Sequence, residues 1–396
     1  MRIGINCFLL QAHIGGLKQY FITLFKELLE RDIDNEYIFF WFEHNAEELD
    51  KLGTDSWRKN AILLQDQLQV LSYLDKIDLY FCPFGVLYPR PLPKPTVMTL
   101  VDIQEVFYPE FFTLEDRYNR ELHFPSSTRM ADRVITISEF SKGTIVEHHR
   151  LAPEKVIVSY LSTDERYYRS NQIAQAPDRD LPKDFILFPA NFWKHKNHDR
   201  LLKALRLLKE ERNLVIDAVF TGFEQANGYP LSLKAQEYGL RSQVHLLGYV
   251  TVEQLAYLYT KARMLVFPSL FEGFGIPLVE AMAAGCPVTA ADATSVPEIT
   301  SSAAELFDPN LPQAIAETIE KVWQDNILRQ KMISLGKQRA QEFSPSMTAQ
   351  SHLTAFTEAL QAYSYPQFLW NNLVYKNYHL AKLGLQWRNK LSKKNG

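Results

Sequence analysis

Strand-like apolar runs alternate with stretches of helical periodicity along most of this 396-residue chain, and the alternation strongly restricts its fold. The first half has apolar runs at residues 3–10, 37–42, 79–82, 96–100 and 133–137. The second half has them at residues 185–188, 215–221, 244–247, 263–267 and 287–290. Helical spacing of apolar residues lies between them, at 17–30, 200–211, 231–239, 252–262, 277–284 and 311–337. This alternation predicts parallel β-sheets with helices on both faces.

The apolar runs fall into two series, which indicates two domains. A polar stretch at residues 170–183 separates the series. A chain of 396 residues is also too long for one ordinary hydrophobic core. We therefore expect an α/β protein with two Rossmann-like domains that face one another, residues 1–170 and 171–345, and a C-terminal segment, residues 346–396.

Composition excludes several classes of protein. The formal net charge of −3 provides no basic field for binding nucleic acid. No stretch approaches 18 consecutive apolar residues, and Asn6 breaks the N-terminal apolar run, so we expect neither a membrane-spanning helix nor a signal peptide. The three cysteines, Cys7, Cys82 and Cys286, lie far apart in apolar stretches. This pattern predicts buried free thiols and a cytoplasmic protein.

The stretch SLFEGFGIPLVEAMAAG, residues 269–285, places two glutamates eight positions apart across a Gly-Phe-Gly loop. Pro277 suits the first turn of a helix, and Gly285 suits its C-terminal end. Glu272 is then on a loop over a helix N-terminus, whose N–H groups attract phosphate. Glu280 is one turn inside, where its carboxylate is suited to binding a ribose diol. In the alternative interpretation, both acids only complement the helix dipole.

A second anion site is predicted in the stretch ANFWKHKNHDRLLKAL, which follows a strand-like run. Asn197 is a candidate N-cap for the next helix, so Lys194 and Lys196 stand just ahead of a helix N-terminus. A solvated basic turn is the alternative. His195 and His198 are three positions apart, but the pattern has no further metal-binding residue, and we expect no metal there.

Two further positions fit ligand sites at the ends of strands. Gly15-Gly16 opens the first helix, although the dinucleotide-binding fingerprint is absent there. Asp102 follows the strand-like run at 96–100, and open α/β sheets bind ligands at the carboxyl ends of their strands. Asp102 is equally well explained as a loop cap.

Together these motifs carry a resemblance to a known family. The stretch FPSLFEGFGIPLVEAMAAGCPV closely resembles the E-x7-E segment of the retaining group 1 (family 4) glycosyltransferases, which have the GT-B fold. The resemblance extends to VHLLGYVTVEQLAYLYTKA and TSVPEI, and in outline to GGLKQY and VITISEFSK, and it covers residues 1 to about 360. The stretch NFWKHKNH is similar to a branch that includes several mannosyltransferases and other O-antigen or exopolysaccharide transferases.

The resemblance implies a role for each matched position. Glu272 matches the acid that contacts the donor sugar, Glu280 the acid on the ribose, and Lys196 the base that neutralises the diphosphate. With Asp102, the residues Glu272 and Lys196 are the catalytic candidates. The other implied donor-binding residues are Gly16, Lys194, Gly248, Tyr249, Gly273, Phe274, Gly275, Ile276 and Leu278. Amides at 274–276 and 278 would hold the distal phosphate, and Gly248-Tyr249 would cradle the base.

The resemblance further implies a C-terminal helix that returns to the N-terminal domain, and a retaining, metal-independent sugar transfer without a cofactor. A nucleotide sugar, GDP-mannose-like or a UDP-sugar, would be the donor, and a glycan or lipid-linked saccharide the acceptor, in surface polysaccharide synthesis. Two positions depart from the family: Asn191 replaces an Arg, and Val101 replaces a His before Asp102. Two alternatives stay open: an epimerase or hydrolase of the same fold and, because of these two departures, a non-catalytic nucleotide-sugar-binding scaffold.

The last segment, residues 364–396, differs in composition from the rest. It has six Lys or Arg residues, no acid, and several Trp, Tyr and Phe residues between them. Basic and aromatic residues favour an anionic membrane surface, so the segment predicts peripheral contact with the inner membrane face. The alternative is a helix that packs on the N-terminal domain and ends in a solvated tail.

Overall fold

The computed structural model describes residues 1–11, 15–53, 55–223 and 229–374. In the first domain the strands are β1 Arg2–Asn6, β2 Glu36–Trp41, β3 Ala61–Leu63, β4 Leu79–Cys82, β5 Thr96–Thr99, β6 Arg133–Thr136 and β7 Val156–Val158. Its helices are α1 Gly16–Arg31, α2 Ala46–Asp50, α3 Ser56–Lys59, α4 Gln104–Phe107, α5 Leu114–Met130 and α6 Glu139–His149.

The second domain has the strands β8 Phe185–Pro189, β9 Asp217–Thr221, β10 Val244–Leu246, β11 Met264–Phe267, β12 Val288–Ala291 and β13 Ala304–Phe307. Its helices are α7 Ser170–Ile173, α8 His198–Glu211, α9 Leu231–Glu237, α10 Val252–Lys261, α11 Ile276–Ala284, α12 Val296–Thr300, α13 Pro312–Gln324 and α14 Asn326–Ala340. Helix α15, Pro345–Ala362, follows.

Within the described residues each domain has one parallel sheet. The strand order is β3-β2-β1-β4-β5-β6-β7 in the first domain and β10-β9-β8-β11-β12-β13 in the second. The order reverses between β1 and β4, and again between β8 and β11. Loops diverge at such points and leave a crevice at the carboxyl ends of the strands, where ligands bind. The two reversals therefore locate the expected ligand sites.

The central strands β4, β5, β8, β11 and β12 are buried over their whole length, as parallel sheets covered on both faces require. The predicted strand-like runs match observed strands, but the prediction for residues 3–10 was too long because β1 ends at Asn6. The single helix predicted over 311–337 is wrong. Asp325 breaks it, since its side chain accepts a hydrogen bond from the N–H of Leu328 and caps a new helix, α14.

Helix α15 follows the second domain in sequence but packs against the first. His352 is fully buried there, and its Nε2 lies 2.6 Å from the hydroxyl oxygen of Tyr20 in α1. The ring of Phe356 packs edge-on against Phe81 of β4. The chain therefore crosses between the domains twice. No helix in the described part of the chain is long and apolar enough to cross a membrane.

Candidate functional site

The second domain's strand-order reversal brings Lys196 and Glu272 together. Lys196 ends a single 3₁₀ turn after β8, and Glu272 lies on the loop after β11. Because β8 and β11 are neighbours, both turns leave the same edge of the sheet. The Nζ atom of Lys196 lies 2.6 Å from Oε1 of Glu272, with only 17% and 11% of their side chains exposed. Two residues 76 positions apart thus form one charged pair in the crevice.

The glycine loop is held by residues that the sequence did not single out. Ser295 Oγ donates to the carbonyl oxygens of Glu272 and Phe274, at 2.9 and 3.2 Å. Thr294 Oγ1 accepts the N–H of Glu272 at 3.1 Å. Gly275 has φ +94°, and a Cβ there would lie 2.7 Å from Leu278 Cδ1, so only glycine fits. These hydrogen bonds and the Gly275 backbone hold the loop in its observed conformation.

Helix α11 begins directly after this loop and has Gly275 as its N-cap. Pro277 is in its first turn, as predicted. Within the described residues, no protein group accepts the N–H of Gly275 or Ile276. The amide of Leu278, to which the resemblance gives a phosphate-binding role, donates to the carbonyl of Gly275 at 2.9 Å. Gly16 of the first domain lies against Ile276, since a Cβ added to Gly16 would be 3.8 Å from Cδ1 of that side chain. The predicted phosphate-binding elements therefore meet at one point.

Glu280 lies one turn inside α11, and its surroundings shift the pKa of its carboxyl group. Burial raises the pKa of its carboxyl to about 7, although the hydroxyl of Tyr259 donates a hydrogen bond to Oε2 at 2.9 Å and opposes the shift. Tyr259 is on α10 and was not singled out from the sequence. Glu280 is thus a carboxyl group that titrates near neutral pH.

Asp102 brings the first domain into the same crevice. A Cβ on Gly273 would lie only 2.6 Å from Oδ2 of Asp102, so the carboxylate packs directly on the glycine loop. Burial raises the pKa of Asp102, and the nearby Glu272 raises it further. Asp102 also accepts the N–H of Gln104 at 3.1 Å, the local cap that was the alternative. The preceding residue, Val101, packs against the hydrophobic core.

Both histidines near Lys196 have a lowered pKa because of burial. His198 is buried between Phe188, Phe192 and Phe220, and burial lowers its pKa to about 3. Burial also lowers the pKa of His195. Among the described residues, no group of three His, Cys, Asp or Glu side chains is placed to hold a metal ion. The three cysteines are buried and free.

The positions of Asn197 and Lys194 differ from those predicted for a simple anion-binding site. Asn197 stands at the N-cap position of α8, but its Nδ2 donates to the carbonyls of Pro268 and Pro309, so its side chain does not cap the helix. Instead it ties the Lys196 turn to the end of β11. Lys194 is exposed at the start of the turn.

Two exposed aromatic rings lie at the ends of β9 and β10. Phe223 and Tyr249 are parallel within 3°, their centroids are 6.5 Å apart, and they are 53% and 76% exposed. The N–H of Gly222 donates to the carbonyl of Gly248 at 2.7 Å and joins the two turns. Asn191 Oδ1 accepts the N–H of Phe223 at 3.0 Å, so the residue that departs from the family pattern orients a loop here.

Comparison with known proteins agrees with this geometry. Residues 170–339 match the family model described as glycosyl transferases group 1. O-antigen chain mannosyltransferase B of Escherichia coli is 26% identical over 363 residues, which cover 84% of this chain and 93% of that protein. O-antigen chain mannosyltransferase RfbU of Salmonella typhimurium is 29% identical over 237 residues, 60% of this chain and 61% of that protein.

A solved structure shares the whole architecture. The glycosyltransferase of Rickettsia africae superposes with a TM-score of 0.69 at 16% identity, over 91% of this chain and 98% of that one. The chain has the GT-B fold of these glycosyltransferase structures. Residues 170–339 are thus similar to the group 1 glycosyltransferases, and most of the chain is similar to an O-antigen mannosyltransferase.

Proposed function

We propose that this protein is a retaining, metal-independent hexosyltransferase. It takes a sugar from a nucleotide-sugar donor, GDP-mannose-like or a UDP-sugar, and transfers it to a glycan or lipid-linked saccharide in surface polysaccharide synthesis. The observation that carries the proposal is the Lys196–Glu272 pair beside the start of α11, at the strand-order reversal of the second domain. The O-antigen mannosyltransferases that the chain is similar to support the substrate class.

Each of these residues contacts a different part of the donor. Lys196 and the N–H groups of Gly275 and Ile276 stabilise negative charge on the diphosphate as it departs. Glu280 accepts hydrogen bonds from the ribose hydroxyls. Glu272, on the far side of Lys196, holds the sugar near its reacting carbon. The positive charge that a metal ion supplies in other transferases comes here from Lys196 and the helix end.

The chemical step needs no strong protein nucleophile. The bond from the anomeric carbon to the phosphate oxygen breaks, and its electron pair remains on the phosphate. The acceptor hydroxyl forms the new bond from the same face, and its proton passes to the departing phosphate oxygen. Asp102, which packs on the glycine loop from the first domain, closes the crevice and excludes water that would otherwise hydrolyse the donor.

The test is transfer from GDP-mannose and from UDP-hexoses to a panel of lipid-linked saccharides, with the product's anomeric configuration read by NMR. We expect a product that keeps the donor's configuration and forms equally well in EDTA. Conversion of the donor without acceptor would indicate the epimerase or hydrolase alternative. Nucleotide binding without turnover on any acceptor would indicate a scaffold.

A second observation supports contact with the cytoplasmic face of a membrane. Residues 365–374 are helical, and the part of the basic segment beyond residue 374 lies outside the described residues. Five apolar residues of this helix share one face and are exposed: Tyr365, Leu369, Trp370, Leu373 and Val374. This apolar face, followed in sequence by six basic residues and no acid, suits the surface of an anionic bilayer, where a lipid-linked acceptor resides.

A further inference from the structure

The N-terminus of α6 is capped by a carboxylate from the other domain. Oε1 of Glu298, on α12, accepts the N–H of Glu139 at 2.7 Å, and Oε2 accepts the N–H of Phe140 at 3.0 Å. The third N–H, that of Ser141, is accepted by the N-cap side chain of Ser138 at 3.0 Å. Two of the donors that a helix start leaves unpaired are therefore satisfied across the domain boundary.

The chain segment that carries Glu298 also holds the glycine loop. Ser295, three residues earlier, donates to the carbonyls of Glu272 and Phe274. Arg339 fixes the other end of α12, because its Nη2 donates to the carbonyl of Glu298 at 2.7 Å and its Nε to that of Ile299 at 3.0 Å. A shift of α12 would therefore move the loop that carries Glu272.

The first domain contacts the same loop on its other side. Ser141 Oγ, one turn into α6, donates to the carbonyl of Gly273 at 3.4 Å. The ring of Tyr160, after β7, lies beside that of Phe274, with centroids 6.2 Å apart. Burial and the neighbouring Glu298 carboxylate raise the pKa of Tyr160 to about 12, so its hydroxyl stays protonated. The first domain, α12 and the loop thus form a closed ring of contacts.

We infer that Glu298 is a positioning residue that couples closure of the two domains to placement of the Glu272 loop. The inference rests on the proposed function, since it assigns Glu298 to the transfer step. A carboxylate on two N-terminal amides of a helix makes charge-assisted hydrogen bonds, and separation of the domains breaks them. Of the groups assigned to the nucleotide, Lys196, Glu280 and the Gly275 and Ile276 amides lie in the second domain, and only Gly16 lies in the first. Losing the Glu298 contact should therefore spare nucleotide binding and impair transfer.

The first experiment compares Glu298→Ala and Glu298→Gln with the wild type. We expect the dissociation constants of GDP and UDP to stay within about threefold. We expect kcat for transfer to fall at least about tenfold, because a small misplacement of reacting groups costs that much. Donor hydrolysis should rise relative to transfer, and small-angle scattering should give a larger radius of gyration. Glu298→Gln, which keeps one acceptor oxygen, should be intermediate.

The matched control is Glu305→Gln. Glu305 is in the same domain and pairs with Lys321 at 2.6 Å on the surface, so its loss changes the net charge equally but leaves α12 alone. It should leave kcat and the radius of gyration unchanged. Equal losses in all variants, or a fall in nucleotide affinity as large as the fall in kcat, would overturn the inference in favour of a merely structural role.

A second experiment breaks the contact from the first domain. Glu139→Pro removes the N–H that Glu298 accepts, at the first position of a helix, where proline is tolerated. Glu139→Ala keeps that N–H and is its matched partner. Only the proline variant should lose transfer, and combining it with Glu298→Ala should add little further loss. Additive losses would contradict the inference. The scattering comparison remains decisive even if the wild type transfers no sugar, an outcome that would reject the proposed function alone.

Discussion

Glu280 has a carboxyl group whose pKa of about 7 differs from its ordinary value because of burial. Between pH 4.5 and 7 the folded state keeps a proton that the unfolded chain has lost, so the free energy of unfolding falls as the pH rises through this range. Glu280→Gln removes the titration and still accepts the Tyr259 hydroxyl. We expect it to be more stable than the wild type at pH 8 and similar at pH 5, by urea denaturation. If Glu280→Gln and the wild type were equally stable at both pH values, the pKa of Glu280 would not be raised.

The same carboxylate links nucleotide binding to pH. If Glu280 accepts hydrogen bonds from the ribose, the affinity of the wild type for GDP or UDP should rise as the pH increases through 7. Glu280→Ala should weaken that affinity by roughly 1–3 kcal/mol, the cost of losing charge-assisted hydrogen bonds. Calorimetry from pH 6 to 8 measures both effects. An unchanged affinity in the variant would remove Glu280 from the site.

We expect substitutions of Lys196 and of Glu272 to have opposite effects on the affinity for a nucleotide that carries no sugar. Lys196→Ala removes the cation that faces the diphosphate and should weaken both GDP or UDP binding and kcat. Glu272→Ala removes a competing anion 2.6 Å from Nζ of Lys196, so nucleotide affinity should hold or increase while transfer is lost. Calorimetry and initial rates separate the two. Equal losses of affinity would refute the division of roles.

Sequence reasoning identified Glu272, Lys196 and Glu280 because each stands in a local pattern of a loop before a helix. It missed Tyr259, Thr294 and Ser295, since their role comes from tertiary contacts and not from neighbours in sequence. It also misread the amide of Asn197 as a helix cap, although that amide has two carbonyl partners far along the chain. Local motifs predict which residues face the crevice, while the residues that hold them require the fold.

In the glycine loop between β11 and α11, Gly273 packs closely against the first domain. Gly273→Ala would place a methyl group 2.6 Å from Oδ2 of Asp102 and 3.2 Å from Ile137, so the first domain must move away. We expect nucleotide affinity to persist and transfer to fall sharply. Gly143→Ala in α6, whose added methyl meets no atom within 4 Å, should retain full activity. Equal activity of the two variants would show that this packing is dispensable.

Strands were predicted better than helices along this chain. A buried strand of a parallel sheet must be apolar on both faces, so residues 79–82 and 133–137 are recognisable from composition alone. Helices α13 and α14 both carry apolar residues at helical spacing, so the pattern predicts one helix across them. The single Asp325 cap that separates them gives only a weak local signal.

For the whole molecule, the apolar face of residues 365–374 predicts binding to vesicles. The full chain should sediment with anionic liposomes at low salt, and chain 1–363 should not. Leu369→Ser with Trp370→Ser should weaken binding at every salt concentration. Replacing the six basic residues of 364–396 by Gln should remove about 1 kcal/mol each and abolish the salt dependence. Negligible sedimentation of the full chain would reject membrane contact.

Helix α15 has a consequence for how the protein is made. The last helix of the chain outside the basic segment covers β4 and α1, elements from the first quarter of the sequence. A ribosome must therefore deliver the entire second domain before Phe81 and Tyr20 find their partners, Phe356 and His352. The second domain can complete its own sheet early, while the first waits with an apolar face uncovered. The first domain is thus synthesised first but completes its fold last. The nascent first domain is therefore the part that most needs protection from aggregation.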